Sequence, residues 1–327
     1  MFMNHKKLLA LYMITILLVL FWGCSKDTHA KPETIYYGNF TGRIAFARPF
    51  PARIVVIDFN NKSTRTITTK WNGTITDGFV SLSPDGEIVT FSGSTKDNSS
   101  QIFTMSVNDG SYSQLTNPFS SSSIFYDNQL PIWSTEGTKI YYINPFWRLT
   151  YTAGQVYSIF PDGKNIIKID SLRSIGRISV TKEENLILAS GFSGIFSYDV
   201  QKKTAKQLTY NDSTSIAVCV VLSPDEQKIA YVLRHGANEY GTPPYYFKIM
   251  TVDIDGTSEK TVINLPWNSY WGTVNVVWSP DGTKLAYNVG GADYRETDHL
   301  FIINLDGTGL TQITNSSFSD GAPSWIK

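Results

Sequence analysis

From Thr41 onward, short runs of alternating apolar and polar residues are broken by Gly, Pro, Asp, Asn and Ser, the pattern of a chain of β-strands joined by turns. The runs repeat. Val80-Ser81-Leu82-Ser83-Pro84-Asp85-Gly86 and Val276-Val277-Trp278-Ser279-Pro280-Asp281-Gly282 each lead into an alternating strand, and Val221-Leu222-Ser223-Pro224-Asp225-Glu226 does the same with Glu in place of Gly. Pro131-Ile132-Trp133-Ser134-Thr135-Glu136-Gly137 and the degraded Ser179-Val180-Thr181-Lys182-Glu183-Glu184 lie between them, so the equivalent Ser or Thr falls at 83, 134, 181, 223 and 279. Each copy has a second half, as in Gln101 to Val107, Asn108-Asp109-Gly110, then Gln114-Leu115-Thr116, or Leu300 to Leu305, Asp306-Gly307, then Gln312-Ile313-Thr314. Asp-Gly suits such reversals because Gly tolerates positive φ and Asp can bond nearby backbone donors.

Four strands per repeat, at a period near 50 residues, predict a propeller of four-stranded antiparallel blades, an all-β fold. Arg43 to Ala47, Arg53 to Asp58 and Thr64 to Thr68 make a first unit short of its inner strand, and five complete units follow. Ala322-Pro323-Ser324-Trp325 repeats the inner-strand signature with no turn after it, so the carboxyl-terminal strand is expected to complete blade one and close a six-bladed ring. A competing assignment gives that place to Ile35-Tyr36-Tyr37.

The Ser-Pro-Asp-Gly turns, the Asp-Gly turns and the terminal Leu-Thr or Ile-Thr pairs resemble the WD40-like repeats of TolB-type propellers across residues 41–327. TolB also has an amino-terminal α/β domain, for which residues 1–40 leave no room. The resemblance therefore implies a fold and not TolB's partners.

Lys6-Lys7 followed by an uncharged stretch from Leu8 to Trp22 has the charge and length of a secretory signal and is short for a bilayer-spanning helix. Its end at Gly23-Cys24-Ser25 resembles a bacterial lipoprotein signal, which implies acylation of Cys24. The expected organisation is a signal peptide over 1–23, a lipidated tether and lead-in over 24–40, and the propeller over 41–327. The expected location is the cell envelope, on the outer membrane, with Cys24 making the membrane contact.

The chain has 327 residues, with 28 Lys and Arg against 28 Asp and Glu, and no long basic tract. Nonspecific attraction to phosphates has no source, so no nucleic acid partner is expected. Two cysteines cannot staple a scaffold, and no closely spaced Cys/His cluster offers a metal site, so neither metal nor cofactor is expected. Cys219, in Ala217-Val218-Cys219-Val220-Val221, reads as a buried strand thiol. A monomer is expected.

In an up-and-down blade the first and third turns share one end of the ring, and the second turns and interblade links share the other. The first group here is short. The second holds the long connections, whose amphipathic side chains make that end the expected binding face for an envelope protein or a glycan. The candidate ligand-binding residues are Trp147, Arg148, Tyr151, His235, Tyr240, Tyr245, Tyr246, Tyr270, Trp271, Tyr294, Arg295 and His299. The repeated Asp85, Asp225 and Asp281 read as turn residues, and Trp133, Trp278 and Trp325 as packing between blades. An extracytoplasmic polysaccharide lyase or glycoside hydrolase is the alternative, but no catalytic residue set is apparent: Gly191-Phe192-Ser193-Gly194-Ile195 lacks the last glycine of a nucleophile elbow.

Overall fold

A computed structural model of the protein describes residues 33–48, 52–68, 70–94, 99–117, 128–144, 154–236, 246–265, 274–289 and 297–327, apart from the side chains of residues 77 and 171. These residues form six four-stranded antiparallel sheets, the blades of a propeller, with no helix among them. Blade two comprises Thr74–Leu82, Ile88–Ser94, Gln101–Ser106 and Tyr112–Gln114 from the axis outward. Blades three to six start at the axis with Gln129–Trp133, Ser179–Val180, Ser215–Leu222 and Asn275–Trp278 and follow the same order.

Blade one takes its inner strand, Ser324–Ile326, from the chain end and its other three, Arg43–Arg48, Arg53–Asp58 and Ser63–Thr66, from the beginning. Ile44 pairs with Trp325 and Ala45 with Ser324, so the ring closes as the repeat register predicts. The competing segment has another place: Thr34–Ile35 pairs with Thr314–Asn315 in a small separate sheet, and Ile35, Tyr37 and Phe40 pack on the junction of blades six and one.

The expected alternation of buried and exposed positions fails in the second strands. Ile140–Asn144 is buried throughout, and so is nearly all of Arg43–Arg48. Each blade is covered on both faces by its neighbours, so its central strands have no solvent side. Outer strands lie at the rim, and Ser63–Thr66 is exposed at every position. Accordingly the apolar core is divided into clusters, and each of the six blade junctions holds one.

The Ser-Pro-Asp-Gly turns share one construction. Ser279 Oγ donates to Asp281 Oδ1 at 2.6 Å and accepts from Lys284 N at 2.9 Å, while Thr283 N donates to the same carboxylate at 3.0 Å. Ser83 with Asp85 and Ser223 with Asp225 repeat it. The serine hydroxyl is first among the causes that hold each of these three carboxyls below the usual aspartate range. These aspartates are turn residues, as their repetition indicates.

Candidate binding sites at the two ends of the ring

Equivalent inner-strand positions stack in layers down the axis. Trp325, Leu82, Trp133, Val180, Leu222 and Trp278 form the layer next to the Ser-Pro-Asp-Gly turns, and Ser324, Ser81, Ile132, Ser179, Val221 and Val277 form the next. All of them except Leu82 line an axial cavity of about 410 Å3 that opens among the turns, with Lys182, Asp225 and Glu226 at its mouth. The tryptophans both line the cavity and pack at blade junctions; Trp278 Nε1 also donates to the Val221 carbonyl of blade five at 3.1 Å, and Trp325 Nε1 to the Thr41 carbonyl, in the lead-in to its own blade, at 2.9 Å. The serines of the second layer also cross junctions, since Ser324, Ser81 and Ser179 Oγ accept from the backbone N of Leu82, Trp133 and Leu222.

Two positions deeper, the layer reads Ala322, Phe79, Leu130, Arg177, Cys219 and Asn275. Here adjacent inner strands touch as parallel bridges, Phe79 with Ala322 and Arg177 with Cys219. Close approach of blades four and five demands glycine at 176, where a Cβ would lie 1.7 Å from the Val218 carbonyl oxygen. Arg177 also lines the cavity; it is 7% exposed, and its Nη1 donates to the Pro323 carbonyl of the opposite blade at 3.3 Å. Burial lowers its pKa, Cys219 opposes that fall, and burial holds the Cys219 thiol up. Cys219 is thus the buried strand thiol its surroundings in the sequence suggest, and its Sγ lies 3.8 Å from the Val276 carbonyl.

Of the residues expected at the other end of the ring, Trp147, Arg148, Tyr151, Tyr240, Tyr245, Tyr270, Trp271, Tyr294 and Arg295 lie outside the described residues; Cys24 does too. His235, Tyr246 and His299 are described. His235 ends the second strand of blade five, directly opposite Tyr246, which is 53% exposed and whose ring centroid lies 6.3 Å from the imidazole. His235 Nδ1 is 2.6 Å from Ser215 Oγ and 4.0 Å from Asp212 Oδ2. A Ser-His-Asp relay needs the hydroxyl and the carboxylate on different ring nitrogens. Here they share one, and Ser215 is 3% exposed, so the group is a structural hydrogen-bond set.

His299 opens the third strand of blade six, and its partners belong to the closure of the ring. Its Nε2 is 3.2 Å from Thr297 Oγ1 and its Nδ1 is 3.8 Å from Asp320 Oδ2. Asp320 is fully buried and accepts from Arg48 Nε at 2.7 Å, while Arg48 Nη2 reaches Glu33 at 2.7 Å. Burial works against the Arg48 charge, but Glu33 and Asp320 outweigh it and raise the pKa. Phe46 and Phe318 lie 5.2 and 5.7 Å from the guanidinium. Among the described residues no group of three or more His, Cys, Asp or Glu is placed to hold a metal ion.

Neither a protein-family model nor a curated protein matches the chain. Solved structures do. TolB from Acinetobacter baumannii aligns with a TM-score of 0.67 at 18% identity over 88% of this chain and 67% of its own. The chain is similar to TolB in fold. A putative TolB from Agrobacterium tumefaciens aligns at 0.55 with 15% identity, covering 87% of this chain and 92% of its own. An oligogalacturonate lyase in complex with manganese aligns at 0.53 with 11% identity, over 85% and 76%. At these identities the likeness is one of architecture, which hosts binding modules and enzymes alike.

Arg177 is the residue that a reading of the repeats alone passes over. Its signal is there once the copies are aligned: in its layer it is the one charged residue among Ala, Phe, Leu, Cys and Asn.

Proposed function

We propose that the protein is a recognition module of the bacterial cell envelope, held on the outer membrane through acylated Cys24, which binds a protein or glycan without turning it over. The axial cavity carries this reading. A closed ring with a core at every junction holds it open without the bound partner, and preorganised concave sites bind without an ordering cost. At the long-loop end Ser215 is buried in its bond to His235 and Asp320 is taken up by Arg48, which supports the binding reading too. In this reading the long-loop aromatics, Tyr246 and Trp271 among them, form a second contact surface at the opposite end of the ring from the cavity, for a protein or glycan.

The fold likeness to oligogalacturonate lyases supports a second reading, cleavage of an acidic polysaccharide. One assay separates the two. The mature protein is titrated with purified envelope glycans and with proteins cross-linked to it in cells, beside a Trp147→Ala/Trp271→Ala variant whose fold is checked by circular dichroism. Saturable binding that the variant weakens at least tenfold, with no new ultraviolet absorbance from unsaturated sugar, is the expected result. Turnover by highly purified protein would overturn the binding-module reading, and binding indifferent to the loop changes would overturn the role of that end.

A further inference from the structure

A buried guanidinium needs partners, and Arg177 has one. Among the described residues, Arg177 has one hydrogen-bond acceptor for its five N–H donors, the Pro323 carbonyl 3.3 Å from Nη1, and it makes no ion pair. Arg48, another buried arginine, shows one way the fold handles a structural charge: it is closed off by two carboxylates, one of them fully buried. Arg177 faces a cavity instead. Because blades one and four are opposite in a six-membered ring, the bond to Pro323 carries the side chain across the axis, which puts the charge at the cavity floor.

The wall above it carries donors. Ser81, Ser179 and Ser324 line the cavity, and each hydroxyl accepts a backbone N–H of the neighbouring blade, which leaves its own proton to give. Above these the walls are apolar and aromatic. The mouth adds no attraction for anions: Lys182 is paired with Glu136, and Asp225 and Glu226 stand beside it. One positive charge at the bottom of a pocket with acidic groups at its rim suits a single negative charge and repels a polyanion.

Resting on the reading of the protein as a binding module, we propose that the axial cavity binds a small organic monocarboxylate, its carboxylate on Arg177 and the serine hydroxyls and its body against the tryptophans. The planar guanidinium matches a carboxylate bidentately, and the anion would supply the countercharge that no described side chain does. The carboxylate can belong to a sugar acid or to a peptide terminus, and the chemistry at the floor is the same for both.

Calorimetric titration of the full folded chain at low ionic strength tests this. The probes are glucuronate and N-acetylglycine, with methyl glucoside and N-acetylglycinamide as their uncharged counterparts. One-site binding of at least one acid, with neither neutral compound bound, is expected, and the better acid identifies the source. Arg177→Met should weaken it at least tenfold and Ser179→Ala severalfold, while Tyr210→Ala, at an exposed side chain outside the cavity lining, should leave it unchanged. Arg177→Lys serves if Arg177→Met does not fold; it keeps the charge, loses the fork, and should also weaken binding. The proposal is overturned if the wild type binds neither acid, binds acid and neutral partner equally, binds only chloride, or binds as tightly without the guanidinium. None of those results bears on envelope ligands held by the long-loop end, whose own titration against the Trp147→Ala/Trp271→Ala variant stands or fails separately.

Discussion

Burial pushes the Asp298 carboxyl up to about 6, the neighbouring Asp320 adds to the rise, and His299 opposes it. A carboxyl whose folded pKa lies above its unfolded value binds more protons in the native state between the two. Its contribution is therefore fully present below the unfolded value and is lost as pH rises from about 4 to about 6. Asp298→Asn removes the titration while keeping the shape. We expect the variant to gain about 1–2 kcal/mol over wild type at neutral pH, and the gain to vanish towards pH 4; paired urea melts across that range measure it. A constant difference between the two proteins would contradict the assignment. The adjacency of Asp298 and His299 is plain in the sequence, but the burial and the nearness of Asp320 that raise the carboxyl are not, because Asp320 is held in place by Arg48 from the other end of the chain once the ring closes.

Turns that look equivalent in the repeat differ in what they do between blades. Gly86, Gly137 and Gly282 have φ between 70° and 73°, and Glu184 and Glu226 stand at the same turn position with φ of 52° and 58°. A side chain there costs about 1–2 kcal/mol relative to glycine. Both glutamates put it to use across a junction: Glu226 accepts from the Lys182 backbone N of blade four, and Glu184 from Lys139, Thr138 and Tyr141 of blade three. Removing the carboxylate and relieving the backbone are separable. Glu226→Ala loses the contact and keeps the strain, whereas Glu226→Gly loses both, so the glycine variant should unfold at a free energy about 1 kcal/mol higher than the alanine variant. Equal stability in chemical denaturation would mean that the backbone at 226 carries no strain. The departure from glycine is visible in the repeat; the reason for it is not, because it lies in the next blade.

At the scale of the whole molecule, blade count, strand order and closure are legible from the repeat because each blade is specified locally, by its own turn residues and apolar runs. What the repeat cannot convey is how the inner edges meet. Arg177 is unremarkable in its own degraded copy and acquires meaning only opposite Pro323, and Trp133, Trp278 and Trp325, expected as interblade packing, also wall a cavity that only the closed ring creates. The ring hangs on a short carboxyl-terminal strand: Trp325 packs on Phe40 and Phe59 at centroid distances of 6.4 and 5.9 Å, and Ser324 accepts from Leu82 N in blade two. Deleting residues 322–327 would strip blade one of its inner strand and open the edge of Arg43–Arg48. Loss of one buried large aromatic alone costs about 3–5 kcal/mol, so the unfolding midpoint should fall steeply, and hydrogen exchange should lose protection first in blades one and six, which share that seam. Deleting residues 25–31 should change neither. A truncated protein that melts at the wild-type midpoint, with protection intact in Arg43–Arg48, would show that the ring holds without its closing strand.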